Sequence, residues 1–197
     1  MPKKTNILTR IYPLKSVYHI FLLSAFPFHL WALLMIFRDF EWVAVRTNLW
    51  DAIGLASYAL TFALIETVFF LFFLLLFGLL VPLKWETNLR IILIGTIGLL
   101  ISTWAILGQA FYLFENSLPV SLFNFFIRSG HPLRILWILI SVLVTLSVAI
   151  PTVMIIKSEK ARKFFGDFYE RITLLSVFYL LFDMAGIIII LIRNIHV

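Results

Sequence analysis

Five long blocks of apolar residues, separated by short polar segments, dominate the chain. They cover residues 17–37, 52–81, 91–113, 135–156 and 173–192. A helix needs about 20 apolar residues to cross a hydrocarbon core about 30 Å thick, and every block is long enough. Because hydrocarbon offers no water to backbone N–H and C=O groups, each block is expected to be helical, and strand-like alternation is missing. The pattern predicts an all-α polytopic membrane bundle of five transmembrane helices.

Composition supports this interpretation. The chain is 62% hydrophobic and 13% charged, with a mean hydropathy of +1.06, whereas soluble domains are about 45–50% apolar and about 25% charged. No linker rich in Gly, Ser or Pro divides the blocks, so residues 1–197 are expected to form a single transmembrane domain. The first block ends at Arg38 and Asp39 instead of a small-residue cleavage site, which favours a retained helix over a signal peptide.

The distribution of Lys and Arg predicts an orientation. Eleven of them lie in the N-terminal tail and in the segments 82–90 and 157–172, and five lie in the alternate segments. Because short cytoplasmic loops carry the excess of basic residues, the N-terminus is expected in the cytoplasm and the C-terminus outside. The net charge of +6 comes from residues that flank apolar blocks. We therefore expect the lipid bilayer and its anionic cytoplasmic head groups as partners, and no nucleic acid.

Two acidic residues interrupt apolar blocks near their middles, namely Glu66 and Asp183. An acidic side chain at that depth costs about 2.5–3.5 kcal/mol on insertion scales, so both are expected to face protein. Ser176, Tyr179 and Asp183 fall on one narrow face at 100° per residue, and that face is expected to point into the bundle. His29 follows Pro27 and lies at a depth where it could meet either carboxyl group.

These residues form the candidate buried polar site. Its members are Glu66, Asp183, His29, Tyr179 and Ser176. The same side chains also fit a purely structural role, since buried polar groups commonly bond across helices. Gly95, Gly98, Ser102 and Gln109 form a separate stripe that predicts a helix-packing seam.

Two segments between the blocks are partly apolar. Residues 114–134 are too short to span, which favours an interfacial or partly re-entrant segment. Residues 157–171 mix charges with phenylalanines, as does a short surface helix lying on anionic lipid, although a solvated loop helix fits as well. The predicted contacts to lipid head groups are Lys157, Lys160, Arg162, Lys163 and Arg171.

No chemical motif identifies an enzyme. The chain has no cysteine, and no phosphate-binding glycine loop, His-Glu-x-x-His or Gly-x-Ser-x-Gly sequence is present. His29, Glu66 and Asp183 come from three separate blocks without diagnostic spacing, so no metal site and no cofactor is predicted. The sequence therefore favours a function other than that of an enzyme.

Three functions remain open. The first is a structural or partner-binding membrane module, in a homo-oligomer or with another membrane protein. The second is a small transporter or subunit of a proton-coupled permease that uses Glu66 and Asp183, because burial favours proton uptake by carboxylates. The third is a membrane enzyme that acts on lipid. A multi-pass position in a prokaryotic plasma membrane is expected.

Overall fold

All regular structure in the described part of the chain is helical. The computed structural model describes residues 13–115 and 117–195. Its six helices are α1 (Leu14–Arg46), α2 (Leu49–Gly78), α3 (Thr87–Leu113), α4 (Val120–Arg128), α5 (Pro132–Lys157) and α6 (Glu159–Ile195). The predicted all-α class is confirmed.

Five of these helices are long and apolar enough to cross a membrane. They contain 33, 30, 27, 26 and 37 residues. Four of them include a predicted block completely, whereas α2 ends at Gly78, three residues before the end of the block 52–81. The short helix α4 has nine residues and cannot span. The chain therefore has the architecture of a multi-pass membrane protein.

The long helices alternate in direction, which gives the bundle two distinct ends. At the first end, α1, α3 and α6 begin and α2 and α5 finish, whereas α2 and α5 begin at the opposite end. An ion pair between Arg193 at the end of α6 and Asp51 at the start of α2 joins two helix termini at the opposite end. Asn48 caps α2 there by accepting a hydrogen bond from the backbone N–H of Asp51.

Helix α1 lies at the centre and contacts α2, α3 and α6. Its buried face includes Ile20 and Leu23, which pack into two adjoining apolar clusters near the first end. Helix α3 completes these clusters with an uninterrupted buried run, residues 92–98. Helix α5 is peripheral, because only 6% of its most apolar 18-residue stretch is buried inside the bundle, whereas the corresponding value for α3 is 44%.

The predicted packing seam on α3 is confirmed at three positions. A Cβ on Gly95 would lie 2.8 Å from Leu23, and one on Gly98 would lie 2.7 Å from Leu74, so neighbouring side chains occupy the space that the glycines leave. Ser102 is also buried. Gln109 does not belong to the seam because its side chain is exposed near the end of the helix.

The segment 157–171 is not a separate surface helix. Lys157 is the last residue of α5, and residues 159–171 are the first part of α6, which runs without interruption from Glu159 to Ile195. At 1.5 Å per residue the helix is about 55 Å long, well beyond a hydrocarbon core of about 30 Å. The segment is held against the bundle because Tyr169 belongs to the same buried apolar cluster as Leu89 and Ile92 of α3. The prediction of a separate loop helix was therefore wrong.

Candidate functional site

Two of the candidate polar residues meet inside the bundle. The Nε2 atom of His29 on α1 lies 2.9 and 3.0 Å from the two carboxylate oxygens of Asp183 on α6. His29 is 0% exposed and Asp183 is 1% exposed. The other ring nitrogen of His29, Nδ1, lies 2.7 Å from the carbonyl oxygen of Ala25. Both nitrogens of this imidazole are therefore directed at oxygen atoms.

The partners of His29 determine how many protons the pair holds. A carbonyl oxygen can only accept, so Nδ1 carries a hydrogen and donates it to Ala25. A neutral ring with Nδ1–H has a bare lone pair on Nε2, which would face a carboxylate unfavourably. One further proton must therefore lie between Nε2 and Asp183, on either atom. In both arrangements the buried pair has no net charge, which avoids the large desolvation cost of an isolated ion.

The candidate residues Tyr179 and Ser176 lie beside this pair on α6. The Tyr179 ring stacks on the His29 imidazole, with 5.5 Å between centroids and 9° between planes. Ser176 is fully buried, and its hydroxyl donates to the carbonyl oxygen of Ile172 at 3.0 Å. The buried face of α6 thus presents Ser176, Tyr179 and Asp183 to the bundle, as the helical spacing predicts.

Glu66 does not join them. Its side chain is exposed on α2, although its neighbours Ala63 and Thr67 are buried. No ion pair of Glu66 occurs within the described residues. The structure does not bury Glu66 inside this bundle, because α2 turns Ala63 and Thr67 inward and leaves Glu66 at the edge of its outer face. The expectation that Glu66 faces protein stays a prediction.

Several polar links between helices lie outside the predicted site. Tyr169 on α6 hydrogen-bonds Thr96 on α3. The Trp104 indole N–H donates to the hydroxyl of Ser147 at 2.7 Å and connects α3 to α5. Each residue was an unremarkable member of an apolar or mixed stretch. Of these residues, helical periodicity predicts a buried position only for Tyr169, because it lies on the same face of α6 as Ser176.

The helix ends at the opposite end are linked by Arg193. Its guanidinium donates to a carboxylate oxygen of Asp51 at 2.8 Å and to the carbonyl oxygen of Trp50 at 2.5 Å. Gly54 leaves the space for it, since a Cβ there would lie 2.6 Å from the Arg193 Cζ. This contact fixes the position of the last turn of α6 against the first turn of α2.

A polar cavity of about 1150 Å³ opens at the first end of the bundle. It lies between the starts of α1, α3 and α6, and its inner part is lined by Leu23, Ile92, Tyr169 and Thr173. Three of the predicted head-group contacts line it, namely Lys160, Arg162 and Lys163. The other two, Lys157 and Arg171, are exposed outside that lining. The basic segment thus faces partly into a cavity.

The described residues contain no group of three or more His, Asp or Glu side chains that could hold a metal ion. Comparison with known proteins finds no matching family model, no matching curated protein and no matching solved structure.

Proposed function

We propose that the protein is a partner-binding membrane module whose α2 helix docks a transmembrane helix of another subunit. The observation that carries this proposal is the exposure of Glu66 in the middle of α2, whose only other charged residue, Asp51, lies in the first turn. A lipid-facing carboxyl group near mid-membrane costs about 2.5–3.5 kcal/mol, and a hydrogen-bond donor on a neighbouring helix would remove much of that cost. The His29–Asp183 pair would then serve to hold α1 and α6 in register behind the docking surface.

The residues around Glu66 suit such an interface. Phe62, Phe69 and Phe73 lie four residues before it and three and seven residues after it, which places them on the same side of α2. Their side chains are 63%, 63% and 64% exposed. We call these three residues and Glu66 the Glu66 face. Phenylalanine is among the residues that are enriched in protein interfaces.

We also propose how the bundle sits in the membrane. The excess of Lys and Arg at the first end supports a cytoplasmic position for that end, with the opposite end outside. The described part of this end includes Lys15, Lys84 and the basic start of α6, and the remaining basic residues of the tail lie outside the described residues. Size and charge bias support a prokaryotic plasma membrane.

Disulfide cross-linking tests the docking surface cleanly because the chain has no cysteine of its own. We expect Phe69→Cys and Phe73→Cys to form cross-linked species in native membranes, either with a second copy or with another protein identified by mass spectrometry. Leu139→Cys on α5, which is 53% exposed, is the matched control and should remain uncross-linked. Adding Glu66→Leu should abolish the cross-link. Equal cross-linking at all three positions would refute the proposal.

A second function is favoured by a separate observation, the buried contact between His29 and Asp183. Thr173 lines the polar cavity and lies ten residues before Asp183 on α6, or about 15 Å along the helix. Ser176 and Tyr179 lie between them on the same buried face. This arrangement supports a proton-coupled transporter in which the cavity is the entrance and the pair is the proton site.

Transport assays separate the two functions. If the pair couples proton movement to solute uptake, Asp183→Asn should abolish uptake driven by a pH gradient in proteoliposomes while the variant still assembles. If the protein is a partner-binding module, wild-type protein should show no such uptake across a broad panel of solutes. Glu41→Gln, which changes an exposed carboxylate distant from the pair, is the control variant.

A further inference from the structure

We propose that the cavity at the first end binds the head group of a phospholipid that carries both a phosphate and a primary ammonium group. The inference rests on the cavity and on an adjoining groove, and it does not depend on the Glu66 face. It goes beyond surface contact with anionic lipid, because it places one lipid in one site and selects its head group.

Charges of both signs line the cavity. The basic side chains are Lys15, Lys160, Arg162 and Lys163, and the acidic ones are Glu86, Glu159, Asp167 and Glu170. Four positive and four negative charges give the lining no net charge at neutral pH. A ligand with a single charge would be attracted by one half of this lining and repelled by the other. A head group that carries a phosphate and an ammonium group can satisfy both halves.

These eight charges do not neutralise one another. Within residues 13–115 and 117–195, none of them forms an ion pair, since the ion pairs there join His29 to Asp183, Arg38 to Asp39 and Arg193 to Asp51. Side chains without an ion-pair partner can pair with the phosphate and ammonium groups of a bound head group.

The backbone at this end favours the phosphate. Three of the long helices begin here, and the first turns of α1 and α3 line the cavity through Lys15, Ser16, Thr87 and Asn88. Neither helix has a side-chain hydrogen bond at its N-cap. Their first backbone N–H groups and the positive ends of their dipoles therefore add to the attraction of the lysines for an anionic oxygen.

An apolar groove next to the cavity supplies a position for an acyl chain. It is formed by Val17, Tyr18 and Phe21 of α1 with Leu71 of α2, and Lys15 lines both the groove and the cavity. The groove has a volume of about 590 Å³. A molecule with a charged head in the cavity and a hydrocarbon chain in the groove would pass directly over Lys15. This continuity identifies the ligand as a lipid and not as a soluble phosphate ester.

Native mass spectrometry of the full chain can measure this selectivity. The protein is released from detergent in the presence of equal amounts of phosphatidylethanolamine, phosphatidylcholine and phosphatidylglycerol with identical acyl chains. We expect about tenfold preferential retention of phosphatidylethanolamine, because choline has no N–H to donate and glycerol has no cation. Lys160→Ala with Lys163→Ala should lower the retention of all three lipids, because the lysines hold the phosphate that these lipids share. Asp167→Asn with Glu170→Gln should remove the preference, because these carboxylates accept from the ammonium group. The matched control for the lysines is Lys84→Ala with Lys157→Ala, which removes two exposed lysines outside the cavity and should keep both the retention and the preference.

The other outcomes overturn the proposal. Equal retention of the three lipids by the wild-type protein would exclude head-group recognition. If the two lysine double variants lose lipid retention equally, the effect is one of overall charge. Soluble phosphoethanolamine is the second probe. If it binds as tightly as the lipid, and if Phe21→Ala leaves lipid binding unchanged, the groove does not hold an acyl chain and the ligand is not a lipid.

Discussion

The contact between His29 and Asp183 makes each residue dependent on the other. A buried ion pair contributes little net stability compared with apolar residues of similar size, but removal of one partner leaves an uncompensated buried group and costs about 3–5 kcal/mol. We therefore expect His29→Leu and Asp183→Leu each to lower the free energy of unfolding strongly. The double variant should be closer to wild type than either single variant is. The free energy of unfolding of the wild type, the two single variants and the double variant is measured in detergent micelles.

Asp183→Asn is the control for this cycle. An asparagine has nearly the same shape and can donate an N–H to Nε2 while Nδ1 continues to donate to Ala25. We expect a loss of only about 1 kcal/mol, since the hydrogen bond survives without the charge. Additive losses in the two leucine variants would show that the residues act independently and would contradict the role inferred from their geometry.

The burial of Asp183 could be predicted from the sequence, whereas the exposure of Glu66 could not, because the two residues have different surroundings. Asp183 shares its helical face with Ser176, Tyr179 and Gly186, so a polar and small stripe specifies which side of α6 turns inward. Glu66 has no polar neighbours on its own face, where Phe62, Phe69 and Phe73 surround it, and the buried Ala63 and Thr67 lie on a different side of α2. The cost of inserting a carboxyl group indicates that a partner is needed, but not whether it lies inside the bundle.

At the scale of helices, a close approach of α2 to α6 depends on Gly186. A Cβ on Gly186 would lie 3.2 Å from the backbone oxygen of Ser57 and 3.4 Å from its Cα, and neither atom can move away as a flexible side chain would. We expect Gly186→Ala to separate the helices slightly and to lower the free energy of unfolding by about 1–3 kcal/mol. Thermal unfolding compared with wild type is the measurement.

Gly108 on α3 is the matched control because a Cβ added there would have no neighbouring atom within 4 Å. Gly108→Ala should raise the free energy of unfolding by about 0.5–1 kcal/mol, since alanine loses less backbone entropy in a helix. Equal effects of the two substitutions would mean that α2 and α6 do not pack as closely as the contact at Ser57 implies.

The uninterrupted helix α6 shows how an apolar pattern can misplace a helix boundary. Hydropathy locates the part of a helix that suits hydrocarbon, and the charges of residues 157–171 marked the end of that part. The helix continues because backbone hydrogen bonds do not depend on side-chain polarity, and no proline interrupts the segment. The buried positions Tyr169, Ile172, Thr173 and Ser176 continue the same face across the boundary, so helical periodicity was the better guide.

At the scale of the molecule, burial is distributed unevenly among the five long helices. Helices α1 and α3 are the most buried, whereas α5 and the outer side of α2 expose large apolar side chains. In a bilayer these surfaces can face lipid without cost, so hydrophobic exposure alone does not indicate an interface. An exposed carboxyl group is the exception, because its exposure to lipid costs free energy. This contrast is why the docking surface is assigned to Glu66 and not to the more exposed helix α5.

The orientation of the bundle is testable because the parent chain offers no thiol to a maleimide reagent. Lys157→Cys places a thiol at the first end, and Ser117→Cys places one at the opposite end, both at exposed positions. Since basic residues are retained in the cytoplasm, we expect a membrane-impermeant maleimide to label Ser117→Cys in intact cells and to label Lys157→Cys only after permeabilisation. The unsubstituted chain should remain unlabelled throughout. The reverse pattern would invert the bundle and place the charged cavity outside, where the proposed lipid would have to come from the outer leaflet.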